Sequence, residues 1–393
     1  MPSPLARHWT LEPSVTFLNH GSYGAVPKAV SASQDRWRGR IEANPVQFFG
    51  REFHPAVDAA RGRLAAFLGT APERLVFVSN ASAGVSTVLA SLALAPGDVL
   101  VTTDHVYGAC GLALDAVAAR TGARVVRAPV PFPGTDAATV TERLLGALDA
   151  HASRVRLLLI DHITSPTGLV FPVADLIREA HTRGVPVLVD GAHGPGMVSL
   201  ALDALDADFY TGNLHKWVCA PRGAAFLHVG DRWTRRVPAL VTSHGAGLDP
   251  TSSGRPRLWL DHDWTGTFDP SAWLSVPTAL DTLAGLVDGG WEAVMAHNRA
   301  LARAGRNLLC EALGVPHPAP DAMLGSLAAV PLPADVSPGL DAEALHHALH
   351  DADRIEVPVV PWAGGRLVRI SAHLHNDLDD VARLADALTA RRG

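Results

Sequence analysis

Only two of the 33 basic residues are lysines, Lys28 and Lys216, so any chemistry that needs an amine has two candidates. Lys216 stands in DFYTGNLHKWVCAPRG, between His215 and Trp217 and five residues past an apolar run that reads as a strand. Lysine is rarely buried, and burial lowers its pKa toward the range useful for carbonyl condensation and proton transfer. The plainer alternative, a lysine on a surface loop, loses force in a chain that otherwise uses arginine. Asp190, in VPVLVDGAHGPG, ends another apolar strand and enters a Gly-rich turn. A carboxylate there lies at the carboxyl edge of a sheet, where open α/β folds bind ligands, and it can pair with a cofactor's ring nitrogen; a helix N-cap is the other use of an aspartate at such a turn. The third segment, SNASAG at 79–84, follows a strand and opens a helix. Its small residues let backbone N–H groups and a hydroxyl reach a phosphate at the positive end of that helix, although Asn and Ser also make ordinary caps.

These three segments need a scaffold, and the pattern between about 72 and 230 supplies one. Apolar, β-rich runs at 75–79, 99–102, 124–127, 156–160, 185–189, 208–211 and 224–228 alternate with helix-length segments such as 83–94, 108–119 and 174–182. Several runs are continuously apolar, as strands covered on both faces are. The alternation predicts a mainly parallel sheet with helices on both sides. Residues 231–270 are rich in Gly, Pro, Trp and His and read as loops near the site. A long helical region over roughly 271–313 follows, then β-like runs at 325–331, 355–360 and 366–370 with helices near 342–350 and 377–390. The expected organisation is an arm with helices at 1–71 that packs with the small domain, a large domain at 72–270, and a connecting helix with an α+β domain at 271–393.

Composition narrows the function classes. Apolar residues make up 48% and charged residues 18% of the 393, the balance of a well-buried globular chain. A net charge of −6 gives no reason to expect nucleic acid or an anionic membrane as partner. No run reaches the roughly 18 apolar residues of a membrane span, and the first residues lack a signal-peptide pattern. Cys110, Cys219 and Cys310 read as reduced thiols of a cytoplasmic protein. Among the 19 histidines, the pairs His346-His347 and His373/His375 invite a metal reading. No third ligand stands near either in sequence, so both are expected to be solvated and no metal is expected.

The segments FLNHGSYGAVP (17–27), ANPVQFFGRE (43–52), TTDHVYGA (102–109), SPTGLVFP (165–172), VDGAHGPGM (189–197), YTGNLHKWVCAPRGAAFLH (210–228), WTGTFDPSAWLSVP (264–277) and VRIS (368–371) span nearly the whole chain. In them the sequence resembles the class V aminotransferase group of fold-type I pyridoxal phosphate (PLP) enzymes, within the isopenicillin N epimerase-like and cysteine C–S lyase branch. The resemblance implies a seven-stranded, mainly parallel sheet in a large domain, a smaller α+β C-terminal domain, PLP as cofactor, an amino-acid substrate and a homodimer with shared active sites. It implies that Lys216 carries the cofactor, that Asp190 partners its ring nitrogen, and that His193 contacts its ring hydroxyl. Ala81, Ser82, Asn213 and His215 match the phosphate cradle, to which the other subunit adds Thr267. Arg369 matches the arginine that clamps the substrate carboxylate, for which bidentate geometry suits it. His105 matches the residue stacked over the ring, with Tyr107, two positions on, as the alternative. Substrate specificity is expected from the arm at Asn19–Tyr23, from 44–51 including Arg51, and from the 242–264 loops.

The reaction is less constrained. No cysteine follows Cys310, which argues against desulfuration through a mobile C-terminal thiol. The distribution of functions in the branch favours β-elimination from a cysteine S-conjugate. Epimerisation is the alternative, followed by decarboxylation or oxidative deamination of a cysteine conjugate, and by transamination.

Overall fold

The computed structural model describes residues 3–393, so the first two residues of the expected arm lie outside it. All seven expected runs are strands of one sheet: β1 (Leu75–Val78), β2 (Val99–Thr103), β3 (Arg124–Ala128), β4 (Val155–Asp161), β5 (Val187–Asp190), β6 (Phe209–Asn213) and β7 (Ala225–Val229). Their order is β1-β7-β6-β5-β4-β2-β3. Every neighbouring pair is parallel except those made by β7, which runs antiparallel to both β1 and β6. Strands β1, β2, β5, β6 and β7 are buried at every position, which is why they carry no polar alternation. Two apolar clusters cover the faces: Leu158, Ile160, Val187 and Val189 belong to one, and Leu157, Leu159 and Leu188 to the other.

The parallel strands β4, β5 and β6 end together, with Asp161 beside Asp190 and Asp190 beside Thr211 in register. Helix α1 (Ala81–Ser91) starts against that edge, and the Asn80 side chain caps it by accepting the Ala83 N–H at 2.8 Å. Gly84, in its first turn, permits the close approach: a Cβ there would meet Thr211 Oγ1 of β6 at 2.2 Å.

Beyond the sheet the chain builds a second unit. Strands β8 (Leu327–Leu332), β9 (Val359–Trp362) and β10 (Gly365–Ser371) form an antiparallel sheet in the order β9-β10-β8. Helices Gly290–Leu313 and Leu378–Thr389 pack with it around Leu309, Val330, Ile370 and Leu384. The arm pairs with this unit, since Thr16–Phe17 runs parallel to Ile355–Glu356.

Three expectations need correction. The helical region at 271–313 is three helices, Ser271–Leu274, Val276–Ala284 and Gly290–Leu313. Pro277 sits in the first turn of the second, and Gly289 and Gly290 take φ of 95° and 63°, which ends helical continuity there. The 231–270 segment is not all loop: Arg257–His262 is a helix. It is tied by buried charge to the N-terminal helix Phe53–Leu68, whose Val57, Leu64 and Leu68 pack in the large-sheet core and not with the small unit as expected: Arg61 lies against Trp259 at 4.0 Å from the ring centroid and pairs with Asp58 and Asp263, as Arg255 also does.

Candidate active site

A cavity of about 380 Å³ opens at the shared edge of β4, β5 and β6 and collects Lys216, Asp190, His193, Asn213, His215, Ala81, Ser82, Tyr107 and Tyr23 in its wall. Five segments bring them there: the turn opening α1, the turns after β2, β5 and β6, and the arm, which supplies Tyr23. Lys216 lies three residues past the end of β6, which runs on to Asn213. It is held from behind, because a Cβ on Gly24 of the arm would meet the His215 carbonyl oxygen at 1.8 Å.

Lys216 is 8% exposed, and its Nζ stands 3.1 Å from His193 Nε2. Burial first, then the Arg369 guanidinium, brings the amine from 10.5 down to about 7. His193 accepts the Trp217 indole N–H at 3.3 Å on Nδ1, so the proton of its neutral ring falls on Nε2, the nitrogen nearest Lys216. Burial and the neighbouring Lys216 hold His193 well below the usual imidazole range, and burial holds His215 at about 4, so both rings are neutral near pH 7.

Asp190 is anchored on both oxygens: Oδ1 accepts the Ala192 N–H at 3.0 Å and Oδ2 accepts the Cys110 thiol at 3.1 Å. Beside it, Asp161 has one carboxylate oxygen, Oδ2, buried without a hydrogen-bond partner. Burial pushes both carboxyls up, and at Asp161 the neighbouring Asp190 adds to the rise, while the Cys110 and Ala192 hydrogen bonds and Lys216 oppose it at Asp190. Sequence reasoning passed over Asp161, although LLLID ends β4 as VLVD ends β5. It also passed over Arg222, six residues past Lys216, which lines the cavity and donates to the Gly24 carbonyl at 3.2 Å.

At the helix end of the cavity Asn213 Oδ1 accepts the Ala81 N–H at 2.9 Å. The Ala81 amide is therefore spent on fixing α1 to β6, and the Ser82 amide and hydroxyl are the groups this turn offers an anion. Arg369, on β10, is buried and reaches the cavity wall from the small unit. Its Nη1 donates to the Ser165 carbonyl and to Ser165 Oγ at 3.2 Å, its Nη2 donates to Ser22 Oγ at 3.4 Å, and its Nε has no partner. Ser22 and Ser165 themselves line the cavity.

Several expected residues lie elsewhere. His105 is fully buried, with Nδ1 on Thr167 Oγ1 at 2.8 Å, Nε2 on the Val130 carbonyl at 2.9 Å and its ring against Trp362. Both nitrogens serve the core and His105 does not line the cavity, whereas Tyr107, the alternative two positions on, does and is 43% exposed. Asn19 donates to Glu356 Oε1 at 2.7 Å and accepts from Ser22 Oγ, so it shapes the arm rather than the cavity wall. Arg51 is exposed and bound to Gln47 Oε1 at 2.8 Å. Neither 44–51 nor 242–264 lines this cavity within one chain; they meet around a separate apolar pocket that includes Val46, Phe49, Leu248 and Trp264. Thr267 is exposed on the surface and contributes nothing to the cavity of its own chain. The expectation of solvated histidines fails for His373 and His375, which are buried against His20, while His347 is exposed.

An amine, a paired carboxyl opposite, and a small-residue helix start beside a neutral His–Asn pair suit one cofactor: an aldehyde-bearing pyridine with a phosphate arm. Asp161 Oδ2 and His215 Nδ1 are buried without a hydrogen-bond partner among the described residues, and both residues line this cavity, as groups that await a ligand would. Comparison with known proteins agrees. The aminotransferase class-V family model matches residues 24–384. Isopenicillin N epimerase of Amycolatopsis lactamdurans is 37% identical, with 96% of each chain covered. A probable chloroplastic L-cysteine desulfhydrase of Arabidopsis thaliana is 31% identical, covering 96% of this chain and 83% of that protein. Among solved structures, a cystine C–S lyase in complex with cysteine persulfide matches with a TM-score of 0.80 at 22% identity, over 97% of this chain and 99% of that one, which speaks for the fold.

Proposed function

The chain belongs to the aminotransferase class-V family, and from that premise we propose that it is a C–S lyase that removes the β-sulfur substituent of an L-cysteine S-conjugate. It is a PLP-dependent enzyme of amino acids; the bond it breaks and the residues that break it are our reading. The observation that carries this reading is the single tuned base: of the groups lining the cavity, Lys216 alone is drawn to about 7. The two histidines stay neutral, and burial pushes the Tyr107 phenol up.

PLP, when bound, acts as the electron sink that acidifies the α-carbon. Lys216 would hold it through its amine, and the free amine would serve as the base. Asp190 would keep a proton at the ring nitrogen, with Asp161, whose carboxyl burial and Asp190 push up, beside it. His193 directs its Nε2–H toward the ring hydroxyl. Ser82, Asn213 and His215 hold the phosphate, with Thr267 of a second copy completing the cradle in a homodimer. Tyr107, in the cavity wall, would cover one face of the ring. Arg369 clamps the α-carboxylate between Ser22 and Ser165 and so aims the α-hydrogen at Lys216. The freed amine, neutral in good part near pH 7, takes that proton, and the sulfur departs from the β-carbon with its bonding pair as a thiolate. None of the three thiols lines the cavity, so the sulfur is not passed to a protein cysteine there.

One observation favours a second reading, epimerisation. The raised Tyr107 phenol is an acid in the cavity wall besides Lys216, and a two-acid site can reprotonate the α-carbon on either face. Incubating holoenzyme with a panel of L-cysteine S-conjugates in deuterated water separates the two. Elimination releases thiol and pyruvate in equal amounts; accumulation of the α-deuterated D-isomer without thiol replaces the lyase reading with the epimerase one.

A further inference from the structure

Behind the Lys216 turn lies a second concentration of ligating groups that the chemistry above does not use. His20 comes from the arm, Cys219 from the turn three residues past Lys216, and His373 from the segment after β10; all three are completely buried. One ligand atom from each lies within 4.8 Å of the others. Cys219 Sγ stands 3.6 Å from His20 Nε2 and 3.5 Å from His373 Nε2. Both imidazoles present Nε2 to the thiol, and their rings stack with centroids 4.2 Å apart at 22°, so one ring would turn as both nitrogens close on a shared ion. His375 Nε2 lies 3.1 Å from His20 Nδ1.

The bland account is a hydrogen-bonded histidine core, and three features weigh against leaving it there. One thiol proton can serve only one of two nitrogens that stand equally close to the sulfur, whereas a cation in place of that proton serves both. Tetrahedral zinc, with Zn–S near 2.3 Å and Zn–N near 2.05 Å, requires S···N edges of about 3.6 Å; the two edges are 3.6 and 3.5 Å. Cys219 also holds φ at 57°, a left-handed conformation that a residue with a Cβ adopts at a cost and that persists where the surroundings require it.

We propose that His20 Nε2, Cys219 Sγ and His373 Nε2 bind one zinc ion. The thiol gives up its proton to solvent as the thiolate–zinc bond forms. His20 then changes tautomer: its Nε2, which otherwise donates to the Lys216 carbonyl oxygen at 3.0 Å, becomes the ligand, and its Nδ1–H is held by His375. The Lys216 carbonyl oxygen, which accepts the Cys219 N–H at 2.9 Å, lies beside the site. An ion here joins the arm, the large domain and the C-terminal unit directly beneath the residue that carries the cofactor, so its role is to fix the Lys216 turn.

The test reads the metal and not catalysis, which keeps it independent of the functional assignment. Holoenzyme is purified from cells grown with added zinc or with cobalt in its place, and metal content is measured after gel filtration. The expected result is about one ion per chain, with the cobalt protein showing a thiolate charge-transfer band and tetrahedral ligand-field bands to the red of the cofactor. Cys219→Ser and His373→Gln abolish both signals, and Cys110→Ser keeps them. A cobalt protein without the thiolate band, metal content far below one in both preparations, or unchanged content in folded Cys219→Ser overturns the proposal. Should the variants fail to fold, the parent's cobalt spectrum decides.

Discussion

Burial, reinforced by Arg369, lowers the Lys216 amine from 10.5 to about 7. At about pH 7.5 a lysine with the ordinary value keeps roughly one part in a thousand as neutral amine, whereas one at about 7 keeps roughly three quarters, a gain of about 700-fold or about 4 kcal/mol. The neutral amine is the form that captures an aldehyde. Apoenzyme mixed rapidly with excess PLP should therefore take up the cofactor at a rate that rises about tenfold per pH unit below about pH 7 and levels off above it. Lys216→Ala should show no covalent uptake at any pH. Arg369→Ala removes the like charge but not the burial, so its inflection should move up by about half to one unit, about 1 kcal/mol of repulsion. Capture that still climbs tenfold per unit from about pH 8 to about 10 would mean an unperturbed amine, and the reasoning from burial would fail.

Asp190→Asn should retain cofactor yet lose α-proton exchange by about 100-fold or more, because the ring nitrogen loses its charged partner; Asp161→Asn, which replaces a carboxyl that burial and Asp190 push up, should lose far less, and equal losses would contradict the division of roles. Arg369→Ala should weaken amino-acid binding tens-fold or more, in line with about 2–5 kcal/mol for truncating one partner of a buried charged pair; an unchanged KM would remove it as the carboxylate clamp. Mixing inactive Lys216→Ala with inactive Thr267→Ala protein should restore part of the activity through heterodimers with one intact site, and no recovery despite subunit exchange would detach Thr267 from the partner's cradle.

The parts of the molecule legible in the sequence are those specified locally. Five of the seven large-sheet strands are buried at every position and so announce themselves as apolar runs; Asp190 ends one of them and Lys216 lies three residues past another. What failed depends on where the chain goes next. His105 and Tyr107 are two residues apart, yet one turns into the core onto Val130 and Thr167 while the other lines the cavity. Local spacing offers no means of separating them. His373 and His375 look like polar residues of a terminal segment until His20, more than 350 positions earlier, packs against both. Asp161 gains its meaning only from lying beside Asp190 across two parallel strands. The 44–51 and 242–264 segments meet each other around a pocket of their own, a pairing that nothing in either segment encodes.

The central claim is that one lysine carries the cofactor and the base chemistry, and it can be read covalently. Holoenzyme reduced with borohydride and digested should yield a single pyridoxyl-modified peptide spanning NLHKWVCAPR, with the label on Lys216. A label on Lys28, which is exposed and donates to the Arg7 carbonyl oxygen at 2.8 Å, or no label on either lysine, would contradict the account.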